Sequence, residues 1–464
     1  MGKLRIHDTL SRQKVDFEPL DENHVGIYVC GPTVYDYAHV GNARPIVVFD
    51  VLVRLLRRLY PKVTYVRNIT DIDDKINNAS KETGEDIGSI TARTTQAFHD
   101  DVAALGALPP DQEPRATRHV EQMKEMISAL IDKGNAYVAE GHVLFSVPSM
   151  DDYGKLSRLD KREIVAGARV DVAPYKKDSQ DFVLWKPSDD DTPGWESDWG
   201  RGRPGWHIEC SAMSREHLGE NFDIHGGGVD LVFPHHENEI AQSHCALGPE
   251  TFAKYWMHNG YLMAEGEKMS KSLGNFYTVH DLLEEFPGEA IRLMLLKTHY
   301  RQPLDFTKDG LKEAKVELDG FYGALRGSSL EEMEFSKFET SGDEIQEALK
   351  NDLNTPDALH FLHIEASAVH KANNEELKVH HKKALRYYAQ VLGLLQQDPE
   401  EWFKWQPASA SGGLDDAAID ALIAERVEAR AAKDFARSDA IRDELAADGV
   451  ILEDGAGGTT WRRG

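Results

Sequence analysis

The chain has 464 residues, with 53 basic and 79 acidic side chains and a formal net charge of −26. This length allows roughly two to four domains, and the acidic excess excludes a general basic nucleic-acid binder, although local Arg and Lys groups can still hold an RNA. No apolar run of about eighteen residues and no signal-peptide core is present, and Cys30, Cys210 and Cys245 are too widely spaced for a disulfide framework. We therefore expect a cytoplasmic protein with no membrane partner.

The first motif lies where a strand meets a helix. The apolar run from Val25 to Cys30 predicts a buried strand, and the pattern after it predicts a helix with Pro45 in its first turn. His39-Val40-Gly41-Asn42 lies between them, where the free amides of a helix start attract phosphate and Gly41 permits close approach. Taken alone, a capped helix start without a ligand explains this segment better.

A second strand follows, from Lys62 to Thr70, and three acids come directly after it. Asp71, Asp73 and Asp74 resemble a metal cluster at first sight. We interpret them instead as acids at a helix start, where they complement the helix dipole.

Residues 111–205 interrupt this alternation of strand and helix. They contain a helical pattern from His119 to Lys133, a short strand from Val143 to Val147, and a stretch from Ser188 to Gly205 that we expect to be an ordered surface loop. Residues 206–265 then resume the α/β pattern. An insertion of this kind in a parallel sheet indicates a doubly wound nucleotide-binding domain, with its site at the carboxyl edge of the strands.

Four residues in the α/β segments have the side chains of a zinc site. Cys30 and Cys210 supply thiols, and His235 and Glu239, four apart on a helix predicted to start near Pro234, face the same side. No Cys-x-x-Cys pair supports the site, so from spacing alone two small buried cysteines are the better explanation. A zinc hydrolase is a poor alternative, because neither His-Glu-x-x-His nor its inverted form is present.

A glycine-rich turn is predicted after the strand from Phe222 to Ile224. Gly227, in the centre of Gly226 to Gly228, would allow close backbone approach, and Asp230 could accept a hydrogen bond from a ribose hydroxyl. A turn without a ligand is an equally good interpretation.

The pentapeptide Lys268-Met269-Ser270-Lys271-Ser272 places two ammonium groups and two hydroxyls in one short loop. Such a loop can close over a triphosphate and neutralise the charge of a phosphoryl transition state. Clusters of Lys and Ser are common on solvated loops, so the pentapeptide gains weight only together with the His39 motif.

The last third of the chain is predicted to be helical, with a small terminal unit. After a flexible linker at 407–413, the tail has two helical patterns and two short strands, Val450 to Leu452 and Thr459 to Trp461, joined by a hairpin at Gly455 to Gly458. About fifty residues form a small core, so we expect the tail to dock on the helices or on RNA. The helical patterns before the linker run from Leu311 to Leu325, Glu344 to Leu353, Pro356 to His370 and Glu376 to Leu395.

The His39 and Lys268 motifs together resemble the paired signature of class I aminoacyl-tRNA synthetases, with Val40 in place of the usual isoleucine and Asn42 in place of a second histidine. Longer segments resemble the cysteinyl-tRNA synthetase family, and they reach almost to the end of the chain. These segments are Tyr28 to Pro32, Asn68 to Lys75, Gly205 to Met213, His225 to Leu231, Phe233 to Gln242 and Thr459 to Arg463.

The resemblance implies an α/β fold: a doubly wound parallel, Rossmann-like nucleotide-binding domain with an insertion, then an α-helical bundle and a small α+β C-terminal domain. It divides the chain into catalytic halves at 1–110 and 206–265, a connective insertion at 111–205, a lysine-rich loop and stem-contact region at 266–309, a tRNA-binding bundle at 310–397, and a linker with an anticodon-binding domain at 398–464.

The resemblance also implies an activity: L-cysteine is selected with the help of one zinc ion, activated by ATP with Mg²⁺ to cysteinyl-adenylate, and transferred to the 3′ end of tRNA(Cys) by a monomer. Zinc would favour the thiol of cysteine over the nearly isosteric hydroxyl of serine. The implied residues are Cys30, Cys210, His235 and Glu239 for zinc; His39, Asn42, Lys268 and Lys271 for catalysis; His39, Gly41, Asn42, Gly227, Asp230 and Lys271 for ATP; Thr70 and Trp206 for cysteine; and Arg430, Asp439, Asp454 and Trp461 for tRNA.

Other interpretations stay open. A ligase that joins cysteine to an amino-sugar inositol would share the catalytic half but needs no anticodon module, so residues 398–464 favour tRNA. A silent RNA-binding paralogue is disfavoured, because the nucleotide, metal and substrate motifs are intact apart from Asn42. For single residues, Trp206 as an ordinary core aromatic and Trp461 as an anchor of the small domain are equally good interpretations.

Overall fold

The structure is a computed structural model that describes residues 2–159, 173–329, 344–408, 413–455 and 458–463, without the side chain of Lys271. Most of the predicted linker and the tip of the predicted C-terminal hairpin lie outside the described residues. None of the described helices is both long and apolar enough to cross a lipid bilayer.

Strands and helices are numbered in chain order. The strands are β1 Arg5–Asp8, β2 Gln13–Asp16, β3 Val25–Val29, β4 Val63–Arg67, β5 Ala136–Ala139, β6 His142–Phe145, β7 Phe182–Pro187, β8 Gly202–Pro204, β9 Asn221–Gly228, β10 Phe252–Asn259, β11 Leu262–Ala264, β12 Leu304–Phe306, β13 Val450–Gly455 and β14 Gly458–Arg463. The helices are α1 Val40–Leu59, α2 Asp74–Thr83, α3 Ile87–Ala104, α4 Val120–Asp132, α5 Trp206–Leu218, α6 Glu237–Leu247, α7 Val279–Leu283, α8 Gly288–Leu296, α9 Lys308–Leu325, α10 Glu344–Lys350, α11 Thr355–Lys371, α12 Glu375–Val391, α13 Pro399–Lys404, α14 Asp416–Ala431 and α15 Phe435–Ala447.

A parallel sheet with the strand order β10-β9-β3-β4 forms the centre of the molecule. Every residue of β3 is buried, as expected for a parallel strand that is covered on both faces. Helix α1 connects β3 to β4 on one side, and the chain returns to the other side of β3 for β9 and β10. The strand order therefore reverses between β3 and β9, where the carboxyl ends of the strands open a crevice. This confirms the predicted doubly wound α/β fold.

The sheet separates two apolar cores. Ile27 and Val29 point into one core, which is also formed by α1 and by helices α7 to α13. Tyr28, which lies between them, points into the other core. The second core also contains Phe145 and Trp185 of the inserted β5-β6-β7-β8 antiparallel sheet. The insertion is therefore packed directly against the back of the catalytic sheet.

The predicted surface loop from Ser188 to Gly205 is wrong at its end. Gly202 to Pro204 forms the edge strand β8, with Trp185 opposite Pro204. Any side chain at Gly202 would collide with Trp185, because an added Cβ would lie 2.3 Å from its indole nitrogen. A sequence rich in Gly and Pro conceals this strand, since both residues are unusual in strand interiors.

Helix α1 begins earlier than predicted. Asn42 Oδ1 accepts a hydrogen bond from the His39 amide at 3.2 Å, so the helix starts at Val40 and Pro45 lies inside it rather than in its first turn. The Asn42 side chain thus caps the helix through its oxygen, a role that a neutral amide fulfils without any charge.

The predicted glycine-rich turn is also wrong, because Gly226 to Gly228 continue strand β9. An added Cβ at Gly226 would lie 2.4 Å from the Phe49 ring of α1, and one at Gly227 would lie 3.0 Å from the His236 ring. These glycines let α1 and a buried histidine pack directly on the strand. Helix α6 begins at Glu237, after a single π-helical turn from Val232 to His236, so its start lies close to Pro234 as predicted.

The helix-start interpretation of the acids after β4 is confirmed for Asp73, whose side chain accepts from the Lys75 amide at 2.8 Å as the cap of α2. The predicted C-terminal helices and the two strands of the tail are present as well. Arg326, after α9, contacts the tail by donating to Glu453 of β13 and, at 3.2 Å, to Thr460 of β14.

Candidate active site

Four side chains from distant parts of the chain converge beyond the carboxyl end of β3. Cys30 directly follows β3, and Cys210 lies on α5. His235 lies in the turn before α6, and Glu239 lies in the first turn of α6. One ligand atom of each lies within 4.8 Å of the others. The two Sγ atoms are 3.7 Å apart, and His235 Nε2 is 2.9 Å from Glu239 Oε1. The structure thus brings together the four residues predicted as zinc ligands.

The acidic groups of this cluster are buried. Glu239 is fully buried, and its Oε2 has no hydrogen-bond partner among the described residues. Burial raises the pKa of Glu239 and of Cys30 well above their ordinary values, whereas the hydrogen bond with Cys30 lowers the pKa of Cys210 to about 7. A divalent cation would stabilise the ionised forms, and thiolate, imidazole and carboxylate are donors that zinc prefers. The residues fit a zinc ion.

Two further histidines extend the cluster. His225 Nε2 and His236 Nε2 lie 3.5 and 3.3 Å from Cys30 Sγ, and with Glu239 they form a second set of donor atoms close enough to hold a metal ion. Both rings are fully buried, and burial lowers the pKa of each well below its ordinary value. Both imidazoles therefore belong to the buried surroundings of the cluster.

The ring of His235 is held from outside the cluster. Its Nδ1 lies 2.9 Å from His207 Nδ1, and the Trp206 ring stacks on it with ring centroids 4.3 Å apart. Because one ring nitrogen takes part in this hydrogen bond, the other, Nε2, is left to face Glu239.

The two signature motifs are joined through their main chains. The Val40 amide donates to the Tyr277 carbonyl oxygen at 3.1 Å, and His39 and Thr278 form an isolated antiparallel bridge. The segment that follows the lysine-rich loop is therefore hydrogen-bonded to the start of α1. Residues far apart in the sequence thus lie together at one edge of the candidate site.

At Gly41 the two motifs approach each other closely. An added Cβ would lie 2.8 Å from the His39 ring and 3.1 Å from Met269 Cε of the lysine-rich loop. Burial lowers the pKa of His39, while the charge of Asp230 acts in the opposite direction, so the predicted ribose ligand lies near the predicted phosphate ligand.

The lysine-rich loop is held in shape by Asn275, a buried residue just beyond it. Asn275 accepts from the Ser270 amide at 2.9 Å and donates to the Lys268 carbonyl oxygen at 3.3 Å. The Lys268 side chain is exposed, and the main chain of Lys271 begins a single helical turn that ends at Leu273.

The two predicted cysteine contacts lie beside the cluster. Trp206, the first residue of α5, is 40% exposed, so it is not an ordinary core aromatic. Thr70 is buried, and its Oγ1 donates to Glu209 Oε2 at 3.0 Å. The Trp206 ring stacks on His235, a candidate metal ligand, and is also open to solvent, so it has the position of a pocket wall.

Trp461 has a structural position that argues against the predicted base stacking. Only 5% of it is exposed, it belongs to the core of the tail, and its Nε1 donates to Asp420 at 2.8 Å. The cationic groups of Lys404 and Arg463 lie over its ring at 5.7 and 5.4 Å. Of the two interpretations of Trp461, the structure supports the anchor.

The other predicted tRNA contacts lie on the surface of the tail. Asp454 accepts from Arg426 at 3.0 Å and from Arg430 at 3.1 Å, and these guanidinium groups lower its pKa. Asp439 is exposed and accepts from Arg442 at 3.0 Å. To contact a base, each of these ion pairs must either separate or use the hydrogen-bonding atoms that are not engaged within the pair.

Three buried polar residues beside the cluster were not predicted from the sequence: Glu209, His225 and His236. His225 directly precedes the glycines of β9, and His236 directly follows His235, so both are sequence neighbours of residues predicted to bind a ligand. Spacing alone does not reveal them, because the direction in which each side chain points depends on how β9 and α6 pack.

Comparisons with known proteins agree with this geometry. The family described as the class I (C) tRNA synthetase catalytic domain matches residues 16–316, the DALR domain matches 344–396, and the cysteinyl-tRNA ligase anticodon binding domain matches 413–462. The chain is 63% identical to the cysteine–tRNA ligase of Paramagnetospirillum magneticum, over 99% of this chain and 100% of that protein. The chain belongs to the cysteine–tRNA ligase family. It is also 60% identical to the family member of Rhodospirillum rubrum over 99% of each chain.

Solved structures of class I synthetases share the fold at much lower identity. The LeuRS–tRNA–LeuAMS ternary complex of Agrobacterium radiobacter matches with a TM-score of 0.57 and 12% identity, covering 84% of this chain and 86% of that one. Methionyl-tRNA synthetase of Mycobacterium tuberculosis with methionyl-adenylate matches with a TM-score of 0.53 and 14% identity, covering 80% and 89%. These matches confirm the fold expected for the family.

Proposed function

We propose that this member of the family joins L-cysteine to the 3′ end of tRNA(Cys) in the cytoplasm, acting as a monomer with ATP, Mg²⁺ and one zinc ion per chain. The observation that carries the proposal is the convergence of Cys30, Cys210, His235 and Glu239 at the crevice that also holds the joined signature motifs.

Selection of cysteine is the demanding part of the reaction. Serine differs from cysteine by one atom, and an apolar pocket discriminates poorly between such substrates. A zinc ion held by the four residues would supply a thiophilic Lewis acid that favours a sulfur ligand over a hydroxyl. The protein contributes the orientation: His207 fixes the His235 ring, and Trp206 covers it.

In the first step, a carboxylate oxygen of cysteine would bond to the α-phosphorus of ATP, while the bond from that phosphorus to the β-phosphate oxygen breaks and pyrophosphate leaves. His39 would donate an N–H to a phosphate oxygen beside the start of α1. Lys268 and Lys271 would neutralise the charge of the transition state. Gly41 and Gly227 would leave room for ATP. Asp230 would accept a hydrogen bond from the ribose, and Mg²⁺ would bind the phosphates.

In the second step, a hydroxyl oxygen of the terminal ribose of the tRNA would attack the carbonyl carbon of the adenylate, and AMP would leave. The match of residues 413–462 to an anticodon binding domain supports tRNA as the acceptor over an amino-sugar. Arg430, Asp439 and Asp454 are the surface residues of this unit proposed to contact the anticodon.

Charging of an unmodified transcript of tRNA(Cys) with a GCA anticodon tests the proposal. Labelled cysteine should become attached to the transcript in the presence of ATP, serine should not, and an amino-sugar inositol should not serve as acceptor. A transcript with a changed anticodon is the matched control. Cysteine-dependent exchange of pyrophosphate into ATP without charging of any transcript would leave the first step standing and overturn the choice of acceptor.

A further inference from the structure

Glu209 occupies an unusual position beside the candidate zinc cluster. It lies on α5 three residues after Trp206 and directly before Cys210, so the pocket wall, the carboxylate and the candidate zinc ligand share one face of the helix. Only 1% of Glu209 is exposed. Any ligand that reaches both Trp206 and the cluster therefore passes beside this carboxylate.

The side-chain hydrogen bond of Glu209 uses one of its two carboxylate oxygens. Its Oε2 accepts from Thr70 Oγ1 at 3.0 Å, and within the part of the chain that the structure describes no basic side chain forms an ion pair with it. A buried carboxylate with a single hydroxyl donor is costly to the folded state unless a cation reaches it.

A second buried glutamate, Glu237, has a structural role and serves as a comparison for Glu209. Glu237 at the start of α6 is also 1% exposed, but its two oxygens accept from the amides of Gly154 and Ser157 at 3.0 and 2.8 Å. Glu237 thereby holds a loop of the insertion in place. Glu209 accepts from no backbone amide among the described residues, so it fixes no loop in this way.

The chemistry of the substrate supplies the missing cation. In cysteine three covalent bonds separate the sulfur from the nitrogen, so the ammonium lies within about 4 Å of the thiol. If the sulfur sits at the cluster that includes Cys210, the ammonium falls next to the adjoining residue on the same helix face. It can donate to Glu209.

We propose that Glu209, oriented by Thr70, binds the α-ammonium group of the amino-acid substrate and so makes the site specific for an amino acid rather than for any small thiol. This inference rests on the proposed function, because it takes cysteine as the substrate and the four-residue cluster as the place of its sulfur. Glu209 is then a substrate contact, and Thr70 is the residue that positions it.

The test compares cysteine with 3-mercaptopropionate, which has the same thiol and carboxylate but lacks the ammonium. Dissociation constants of both ligands are measured by calorimetry on wild-type protein, Glu209→Gln and Glu209→Asp, each with its zinc content determined. Glu209→Gln keeps the size of the side chain and an acceptor for Thr70, but removes the charge. Glu237→Gln is the matched control, since it removes another buried carboxylate away from the pocket face.

The wild type should bind cysteine more tightly than the thiol acid, and Glu209→Gln should reduce this preference by about 10- to 100-fold, the effect of losing one charge-assisted hydrogen bond. Glu209→Asp should retain part of the preference, and Glu237→Gln all of it. An unchanged preference in Glu209→Gln with its metal intact would overturn the inference. Failure of the wild type to bind cysteine at all would instead overturn the proposed function.

Discussion

The amide of Val40 donates to the carbonyl oxygen of Tyr277 at 3.1 Å, which ties the start of α1 to the end of the lysine-rich loop. Any movement of the loop over ATP therefore starts from a fixed base at the helix. This connection holds the start of α1 and the lysine-rich loop at the same edge of the sheet, where we propose that both act on one triphosphate.

Gly41→Ala tests the closeness of the two motifs. The new methyl group would lie 2.8 Å from the His39 ring and 3.1 Å from Met269 Cε, so one of them must move. We expect cysteine-dependent ATP–pyrophosphate exchange to slow by roughly 10- to 100-fold, because small displacements of positioning groups are costly to catalysis. Gly320→Ala, where an added Cβ meets no atom within 4 Å on helix α9, is the control and should leave the exchange rate unchanged.

Lys271→Ala tests the transition-state role of the loop. Removal of one charge that acts on the transferring phosphate should lower the rate of adenylate formation by roughly 10²- to 10³-fold with little change in the free energy of unfolding. Single-turnover measurement of adenylate formation checks this. Lys312→Ala, an exposed lysine paired with Asp309 on α9, should be neutral, and a near-normal rate in Lys271→Ala would remove that residue from the mechanism.

Cys210→Ser tests the metal assignment directly. A hydroxyl is a poor zinc ligand, so the variant should lose stoichiometric metal. Cysteine binding should weaken by more than the roughly 10- to 100-fold that loss of an outer hydrogen bond costs a metal site. Metal analysis and calorimetry give the two readouts. Cys245→Ser, at a partly buried cysteine outside the cluster, should change neither; equal cysteine affinity in wild type and Cys210→Ser would contradict the assignment.

Stability should depend on pH through Glu289, a buried carboxyl that accepts from Tyr322 Oη at 2.6 Å. Burial raises the pKa of Glu289 from 4.5 to about 7. Between these pH values the folded protein keeps a proton that the unfolded chain releases, so the stabilisation is complete below pH 4.5 and declines as pH rises toward 7.

The comparison with Glu289→Gln isolates this group. The glutamine carries no titratable proton. Over this pH window the free energy of unfolding of Glu289→Gln should therefore fall by roughly 3 kcal/mol less than that of the wild type. Urea unfolding of both proteins at several pH values gives the difference. Glu344→Gln, at an exposed residue of α10, should follow the wild type, whereas parallel curves for wild type and Glu289→Gln would show that Glu289 does not titrate in this range.

Much of the fold can be predicted from local patterns. The run from Val25 to Cys30 identifies β3 because a parallel strand is apolar on both faces, and the spacing of His235 and Glu239 places them on one helix side. The meeting of Cys30 with Cys210, separated by 180 residues, depends on the packing of α5 against β3, so only the family resemblance indicated it. Glu209 could not be predicted for the same reason: its burial beside the Thr70 hydroxyl depends on tertiary packing and not on the neighbouring residues in the sequence.

The edge strand β8 and the glycine strand β9 show a second limit. β8 and the glycine end of β9 consist of residues with low strand propensity, and at Gly202 and Gly226 the ring of Trp185 or Phe49 fills the space that a side chain would need. Local propensity therefore predicted a loop and a turn where tertiary packing imposes extended backbone.

The most direct test of the central claim measures cysteine-dependent ATP–pyrophosphate exchange on protein of known zinc content, with serine as the competing substrate. We predict one zinc ion per chain, loss of cysteine activation when a chelator removes the metal, and recovery when zinc is returned. Protein that is free of metal and still activates cysteine while rejecting serine would contradict the account.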